Sequence, residues 1–303
     1  MRVSKIYTHG FSAHVDDLLA CALLLAVADD PQEVEVIRCR EEELPKSLGE
    51  GEFIVDIGGV YDGSNHFDHH QDDEAVEGEC AATLVAKHFT PVLLEDKVWG
   101  GFLQRVSVQD NNGMKAVDVD GAFRAGDFLV LERGLVSMFE NRPQETAQIV
   151  AEMIRERLDY LKQVADAKVW LESHTEVFYT DATVQVMGEW EDPGEVTLDV
   201  AYLKVLEITS NPALAGIPSR IANAAQDELI RDNRIIVVLS WDPRDREGKR
   251  RTLFRTRYGE EWGFDFSSLT GDPRVAFAHK AGFLCNFTGD REDAKELIKR
   301  SRD

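Results

Sequence analysis

The sequence lacks three features that would assign it to a common class: paired cysteines, a long apolar run and an excess of basic residues. Its four cysteines, Cys21, Cys39, Cys80 and Cys285, form no CxxC pair, which favours reduced thiols in a cytosol over a disulfide framework or a zinc ribbon. No apolar run reaches the ~18 residues of a membrane span, and the longest, residues 18–28, predicts a buried helix. The N-terminus shows no signal-peptide pattern. We therefore expect a cytoplasmic protein that does not contact membranes.

The charge of the chain limits its partners. The 303 residues contain 34 Lys and Arg against 56 Asp and Glu, a net charge of −22. Because duplex-DNA binders gain affinity by neutralising phosphates with Lys and Arg, this charge argues against long duplex DNA. Residues 1–120 carry 9 basic and 24 acidic side chains, whereas residues 240–303 carry 14 and 12. This distribution predicts metal cations in the first part and an anionic substrate at the second.

The order of predicted elements indicates an α/β protein of two domains. The first sixty residues alternate strand and helix, which predicts a parallel sheet in a three-layer arrangement. Residues 143–172 form the longest helical pattern, and residues 192–194, Asp-Pro-Gly, predict a turn or linker. We place a catalytic domain at residues 1–185 and a smaller accessory domain with a mixed sheet at residues 186–303. Further predicted elements are helices 81–88, 94–108, 220–231 and 292–300, and strands 183–190, 234–241, 251–258 and 275–283.

Three short segments contain most of the notable polar residues of the first domain. His9 and Asp56 each follow an apolar strand-like run, at the edge where a parallel sheet places its ligand crevice. Each segment alone has an ordinary explanation: Asp16 and Asp17 suit a helix N-terminus, Asp56 suits a turn, and residues 68–70 suit a solvated loop. Their occurrence together within seventy residues predicts a metal site. Mixed imidazole and carboxylate ligands favour Mn²⁺, Zn²⁺ or Fe²⁺ over Mg²⁺ or Ca²⁺.

The same segments resemble a known family. The patterns are His-x4-His-x-Asp at residues 9–16, Val-Asp-x-Gly-Gly-x-Tyr-Asp at 55–62 and Phe-Asp-His-His-Gln at 67–71. They resemble the melanocyte-proliferating-gene exonuclease family, a branch of the Asp-His-His (DHH) phosphoesterase superfamily. Residues 108–113 and 276–283 are similar to two later family segments. Residues 11–13, Phe-Ser-Ala, differ from the family pattern, which has Gly and then Phe just before the second histidine.

The resemblance implies a dinuclear metal site bridged by Asp56. One ion would be held by His9, His14 and Asp56, and the other by Asp16, Asp56, His69 and Asp110. His70 would face the substrate phosphate without binding metal, so that Asp56 and His70 are the implied catalytic residues. Two divalent ions, which we expect to be Mn²⁺, would generate hydroxide at neutral pH.

The resemblance implies an exonuclease of the 3′–5′ type, acting on single-stranded RNA or short oligonucleotides and releasing nucleoside monophosphates. Two alternatives stay open. One is a small-molecule phosphohydrolase acting on pyrophosphate or a cyclic dinucleotide, and the other is a non-enzymatic scaffold stabilised by metal. A closed ligand shell would indicate the scaffold. A homodimer is compatible with the sequence.

The second domain contains candidate substrate-binding residues. Residues 244–257 include seven basic and two acidic side chains. Arg251, Arg255 and Arg257 lie on a predicted strand, and alternate residues of a strand share a face, which predicts a row that contacts phosphate. For residues 242–249, which include Arg244 and Arg246, we expect instead an exposed hairpin loop whose charges are only solvated. His279 and Gly282 match a family segment that binds substrate, although His279 could equally be a core histidine.

Overall fold

The computed structural model describes residues 1–71, 76–113, 125–187, 196–210, 212–242, 245 and 249–301. The chain divides into two compact units, Met1–Leu161 and Lys162–Asp303. The division falls within a long helix, earlier than the boundary predicted at residues 185/186. The turn predicted at residues 192–194 lies outside the described residues.

A parallel sheet forms the centre of the first unit. Its described strands are β1 (Lys5–His9), β2 (Glu35–Cys39), β3 (Glu52–Val55) and β4 (His66–Phe67), in the order β2-β1-β3-β4. All three strand pairs are parallel, which confirms the predicted fold class. The described helices are α1 (Val15–Val27), α2 (Ala81–Phe89), α3 (Pro91–Glu95), α4 (Trp99–Asn112) and α5 (Ala125–Asn141), followed by α6 (Pro143–Ser173), which contains the division between the units.

Helix α1 is the most buried element of the first unit. Its residues from Val15 to Ala26 are almost completely shielded from solvent, because the helix packs on the sheet strands and on α2, α4 and α5. At its C-terminus, Arg155 of α6 donates hydrogen bonds to the carbonyl oxygens of Ala26, at 3.0 Å, and Leu25. A cation is favourable at this end of the helix dipole. The helix is therefore fixed in place, and its N-terminus can hold side chains accurately.

A mixed sheet forms the second unit. Its described strands are β5 (Thr175–Met187), β6 (Val196–Ile208), β7 (Val237–Trp241), β8 (Arg250–Arg255), β9 (Val275–Ala278) and β10 (Leu284–Thr288). The order is β5-β6-β7-β8-β10-β9, in which only β6 and β7 are parallel neighbours. The helices are α7 (Ser219–Asn233), α8 (Arg257–Glu261) and α9 (Arg291–Arg300). The predicted mixed sheet of the second domain is confirmed.

Several predicted elements were wrong in extent. The single helix predicted at 94–108 is two helices, α3 and α4. The strand predicted at 251–258 ends at Arg255, because Thr256 caps the short helix α8 by accepting a hydrogen bond from the Gly259 N–H at 3.3 Å. The strand predicted at 275–283 is a hairpin of β9 and β10. Strands β4 and β6 and helix α5 were not predicted. Strand β5 starts at Thr175, before the predicted start at residue 183.

The structure bears on two expectations drawn from the sequence, one about the cysteines and one about membrane spans. All four cysteines are buried and carry free thiols. In the described part of the chain, no helix has both the length and the apolar character that crossing a bilayer requires.

Candidate metal centre

The end of β1 and the start of α1 position two histidines. His9 is the last residue of β1, and its carbonyl oxygen accepts a hydrogen bond from Arg38 Nε at 3.2 Å. His14 is the N-cap residue of α1, and its backbone N–H donates to Asp17 Oδ1 at 3.0 Å. Their rings lie 5.4 Å apart, centroid to centroid. The connection between them is therefore anchored at both ends.

Asp56 lies at the centre of the site. It directly follows β3 and has a backbone φ of 56°, in the left-handed region that few residues other than glycine adopt. Its Oδ2 lies 3.1 Å from His9 Nε2, and its Oδ1 lies 3.3 Å from His69 Nε2. The side chain is buried, with 2% of its surface exposed. It therefore faces imidazoles from two separate segments of the chain.

The Asp-His-His segment contributes three side chains with different environments. Buried Asp68 accepts hydrogen bonds from the N–H groups of Gly59, at 2.6 Å, and His69, at 2.7 Å. Its Oδ1 also lies 2.6 Å from Nδ1 of His70. His69 is almost buried, whereas the His70 side chain is 60% exposed. Asp68 thus fixes the loop and orients His70, while His69 points into the site.

Asp16 and Asp110 complete the cluster. Asp16 is in the first turn of α1 and Asp110 is near the end of α4. His69 Nε2 lies 3.0 Å from Asp110 Oδ2 and 4.0 Å from Asp16 Oδ2. Three overlapping groups have ligand atoms within 4.8 Å of one another: His9, His14 and Asp56; His14, Asp16 and Asp110; and Asp56, His69 and His70.

The chemistry of this cluster fits a divalent cation. Five buried polar atoms of the cluster have no hydrogen-bond partner among the described residues: both carboxylate oxygens of Asp16, one each of Asp17 and Asp56, and Nε2 of His69. The His69 contacts to carboxylates are close but poorly oriented for hydrogen bonding. Buried polar atoms without a partner are costly, and bound cations would satisfy those of Asp16, Asp56 and His69. The structure brings the six predicted ligands together; how they divide between two ions stays a prediction.

The pKa values of the cluster reflect crowded acids. Burial and the nearby Asp56 and Asp110 carboxylates raise the pKa of Asp16 well above its usual range. Burial also raises the pKa of Asp17, to about 7. Burial opposes ionisation of Asp56 and His69, but their mutual approach outweighs it: the pKa of Asp56 falls to about 2, and that of His69, which also faces Asp110, rises to about 10. When no cation is bound, protons on these side chains reduce the repulsion between the crowded carboxylates.

The three predicted arginines of the second unit have different environments. Arg251 is buried, pairs with Glu207 at 2.5 Å and lies over the Trp241 ring. Arg255 donates to the Phe264 carbonyl oxygen at 2.6 Å. Arg257 is exposed and stacks over the Tyr258 ring. Because Arg257 lies in α8, beyond the strand, the predicted period-two row of arginines was wrong.

His279 and Gly282 occupy the turn between β9 and β10. Nδ1 of His279 accepts a hydrogen bond from the Ala281 N–H at 3.1 Å, and its ring lies 4.2 Å from that of Phe283. Gly282 has φ of 69°, and a Cβ there would lie 2.0 Å from Asp265 Oδ1. Only glycine fits this position. Their roles in substrate binding stay predictions.

Three positioning residues were not assigned from the sequence. Asp17 accepts from the His14 N–H and lies 3.4 Å from His9 Nε2. Asp68 orients His70, and Arg38 holds the backbone of the His9 segment. Asp17 and Asp68 could have been found, since each adjoins a predicted ligand. Nothing in the sequence marked Arg38.

Comparison with known proteins agrees with the resemblance. Residues 5–118 match the sequence model MYG1_exonuc, described as an uncharacterised protein family (UPF0160). This match contains all six predicted ligands and His70. Residues 5–118 are thus similar to the MYG1 family. The abbreviation is that of the melanocyte-proliferating-gene family, so the resemblance is confirmed for this region, whereas the wider Asp-His-His superfamily stays a prediction.

Relatives named MYG1 share only part of their length with this chain. MYG1 exonuclease of Bos taurus is 40% identical over 72 residues, which cover 23% of this chain and 18% of the relative. MYG1 exonuclease of Mus musculus is 30% identical over 140 residues, covering 37% and 36%. MYG1 protein of Chlamydia pneumoniae is 45% identical over 68 residues, covering 22% of each chain. The matched region thus spans well under half of these relatives.

Proposed function

We propose that the chain is a divalent-metal-dependent phosphodiesterase that removes nucleoside monophosphates from one end of single-stranded RNA or short oligonucleotides. The observation that carries this proposal is the set of buried carboxylate and imidazole atoms around Asp56 that make no hydrogen bond within the described part of the chain. A stable protein keeps such atoms together only if something else satisfies them. The relatives named exonucleases suggest the reaction class.

The donor set fits two ions, with Mn²⁺ our proposal for the metal. His9, His14 and Asp56 would hold one ion, and Asp16, Asp56, His69 and Asp110 the other. Bound divalent ions would lower the pKa of a water molecule and offset negative charge on the phosphate. Asp56 is suited to bridge them, because both of its oxygens face imidazoles from different segments.

His70 is the chain's own candidate for contacting the phosphate. Asp68 holds its Nδ1, so Nε2 is the nitrogen left for a substrate oxygen. The Asp68 hydrogen bond also raises the pKa of His70 above its ordinary value. A fixed, partly exposed imidazolium beside Asp56 can stabilise charge that grows on a phosphoryl oxygen.

The charge of the chain supports short, single-stranded substrates. A surface with net charge −22 repels long polyanions. In the second unit, Arg255, Arg257 and His279 remain our proposed substrate contacts, and Arg251 is the weakest candidate because Glu207 already pairs with it. A cytoplasmic location and a homodimer belong to the same proposal.

A substrate panel tests this function. Purified protein with Mn²⁺ is incubated with a short RNA labelled at the 5′ or the 3′ end, a cyclic dinucleotide and pyrophosphate, and its metal content is measured. We expect mononucleotides to leave the RNA from one end. Hydrolysis of pyrophosphate or the cyclic dinucleotide alone would indicate a small-molecule phosphohydrolase. Bound metal with no hydrolysis of any substrate would favour a scaffold.

Replacing Asp56, the central carboxylate, tests the metal site against a matched control. Asp56→Ala should lose bound metal and hydrolysis together, because no other carboxylate faces both His9 and His69 among the described residues. Asp159→Ala removes an exposed carboxylate from α6 and should change neither. Full turnover by Asp56→Ala would contradict the bridging role.

A further inference from the structure

A cavity adjoins the candidate metal centre within the first unit. Its volume is about 570 Å³, and its wall includes Asp16 and Asp110 of the centre. One face of α4, with Val106 and Gln109, and one face of α5 form the other walls. This volume lies in the range of sites that enclose small organic ligands. The cavity can therefore hold more of a substrate than the phosphate at the metals.

The charged side chains of the α5 wall differ in their partners. Buried Glu132 accepts hydrogen bonds from Arg105 Nη2 and Gln109 Nε2, both at 2.9 Å. Glu140 accepts from the Ala13 N–H at 3.0 Å. Arg133 is exposed and has no hydrogen-bond or ion-pair partner in the described part of the chain. The two acids are thus engaged by the protein, whereas the cavity's arginine is available to a ligand.

We propose that this cavity binds the terminal nucleotide of the substrate, and that Arg133 binds a second phosphate, one that is not cleaved. The inference rests on the proposed function and specifies its substrate class. Arg133 is thereby a specificity-determining residue. It favours substrates with a phosphate on each side of a nucleoside over simple phosphate esters.

The chemistry of the wall suits such a ligand. A guanidinium presents several N–H donors in a planar fork that matches phosphate oxygens. Val136, which is partly exposed, adds apolar surface on which a sugar or base can pack. The cavity also reaches Asp16 and Asp110. A nucleotide in it would therefore have one phosphate at the metal centre and the next directed towards Arg133 on the α5 wall. A phosphate ester without a nucleoside would use only the first of these contacts.

Binding of short diadenylates tests the proposal. The ligands are ApA, pApA and ApAp with a phosphorothioate linkage that resists cleavage, titrated by calorimetry into Mn²⁺-loaded protein. We expect one of the two end-phosphorylated ligands to bind about tenfold more tightly than ApA, the size of one charge-assisted contact. Arg133→Ala should abolish that preference, and Arg133→Lys should keep part of it. The control Arg142→Ala, an exposed arginine outside the cavity wall, should keep all of it.

The possible results separate this inference from the proposed function. The inference is overturned if the parent protein shows no preference for a ligand with an end phosphate. It is also overturned if that preference survives in Arg133→Ala with normal metal content. Both conclusions hold even if RNA is hydrolysed. Loss of bound metal in both Arg133 variants also overturns it, because Arg133 would then support the metal centre. A preference for an end phosphate that depends on Arg133 would support the inference even if the unmodified ligands are not hydrolysed. That combination of results would contradict the proposed nuclease function.

Discussion

Neighbouring histidines of the Asp-His-His segment differ in exposure and in partners. His69 has 6% of its side chain exposed and faces the carboxylates of Asp56 and Asp110. His70 is 60% exposed and is hydrogen-bonded to Asp68. A buried imidazole among acids suits a metal ligand, and an exposed, oriented one suits contact with substrate. The structure gives the two histidines different environments, while their roles as metal ligand and substrate contact stay predictions.

Replacing His70 should affect hydrolysis more than metal binding. We expect His70→Ala to retain its metal, while kcat falls by roughly 10²–10⁴-fold, the usual contribution of a positioned proton-bearing group. Metal analysis and steady-state kinetics on one preparation check this. His66→Ala is the matched control, since His66 is another carboxylate-bonded imidazole, held by Asp62. Loss of metal from His70→Ala would make His70 a ligand.

The residues of the candidate metal centre were easier to predict than the residues that position them. His9, His14 and Asp56 follow or begin regular elements, and Asp-His-His is a compact motif, so local sequence reveals them. Arg38 acts through the backbone of a strand neighbour 29 positions earlier. Long-range contacts of this kind depend on strand register, which has no local sequence signal.

At the scale of elements, one ion pair connects helices α4 and α6. Asp96 accepts from the Trp99 N–H at 3.0 Å at the start of α4 and from Arg157 of α6. Burial opposes ionisation of Asp96, but the Arg157 contact outweighs it and lowers the pKa of Asp96. The carboxylate thus contributes to stability only while it is ionised.

The stability lost in Asp96→Asn should depend on pH. Because the folded pKa is below the unfolded value of about 3.9, the contribution is complete above that value and disappears as pH falls through the folded pKa. We expect Asp96→Asn to lower the midpoint of thermal unfolding at pH 7, and its difference from the parent to shrink as the pH falls below about 3.9. A difference that does not change with pH would mean that charge is not the cause.

Most of the elements that prediction missed or misplaced are strands, although helix α5 was missed as well. β5 and β6 pair over their whole length as a long hairpin, yet residues 175–187 mix polar and apolar side chains without the alternation of a half-buried strand. Pairing with a neighbouring strand decides such segments more than propensity does. The helices α2, α6 and α9, by contrast, have strong local patterns and lie close to their predicted bounds. Local patterns therefore predict the fold class and not every strand.

At the scale of the whole molecule, the buried acid cluster couples stability to metal. We expect Mn²⁺ to raise the midpoint of thermal unfolding and EDTA to lower it, because a cation that binds only the folded state stabilises it by about 2.7 kcal/mol at a hundredfold excess over Kd. The gain should be larger at pH 8 than at pH 6, since binding must displace the proton that His69, with a pKa of about 10, holds. Thermal unfolding at both pH values measures it.

The same experiment has an internal control. Asp56→Ala should show no metal-dependent shift at either pH, whereas Asp159→Ala should behave as the parent does. A shift that grows as the pH falls would contradict the proton competition on which the prediction depends.

The left-handed backbone at Asp56 restricts what evolution or design could place there. Aspartate and asparagine enter this conformation more readily than other side chains with a Cβ, and of these two only aspartate brings a negative charge. Glutamate would keep the charge but strain the main chain, and glycine would relax the main chain but lose the charge. Saturation mutagenesis at this codon should thus leave a single functional residue, although neighbouring loop positions tolerate several.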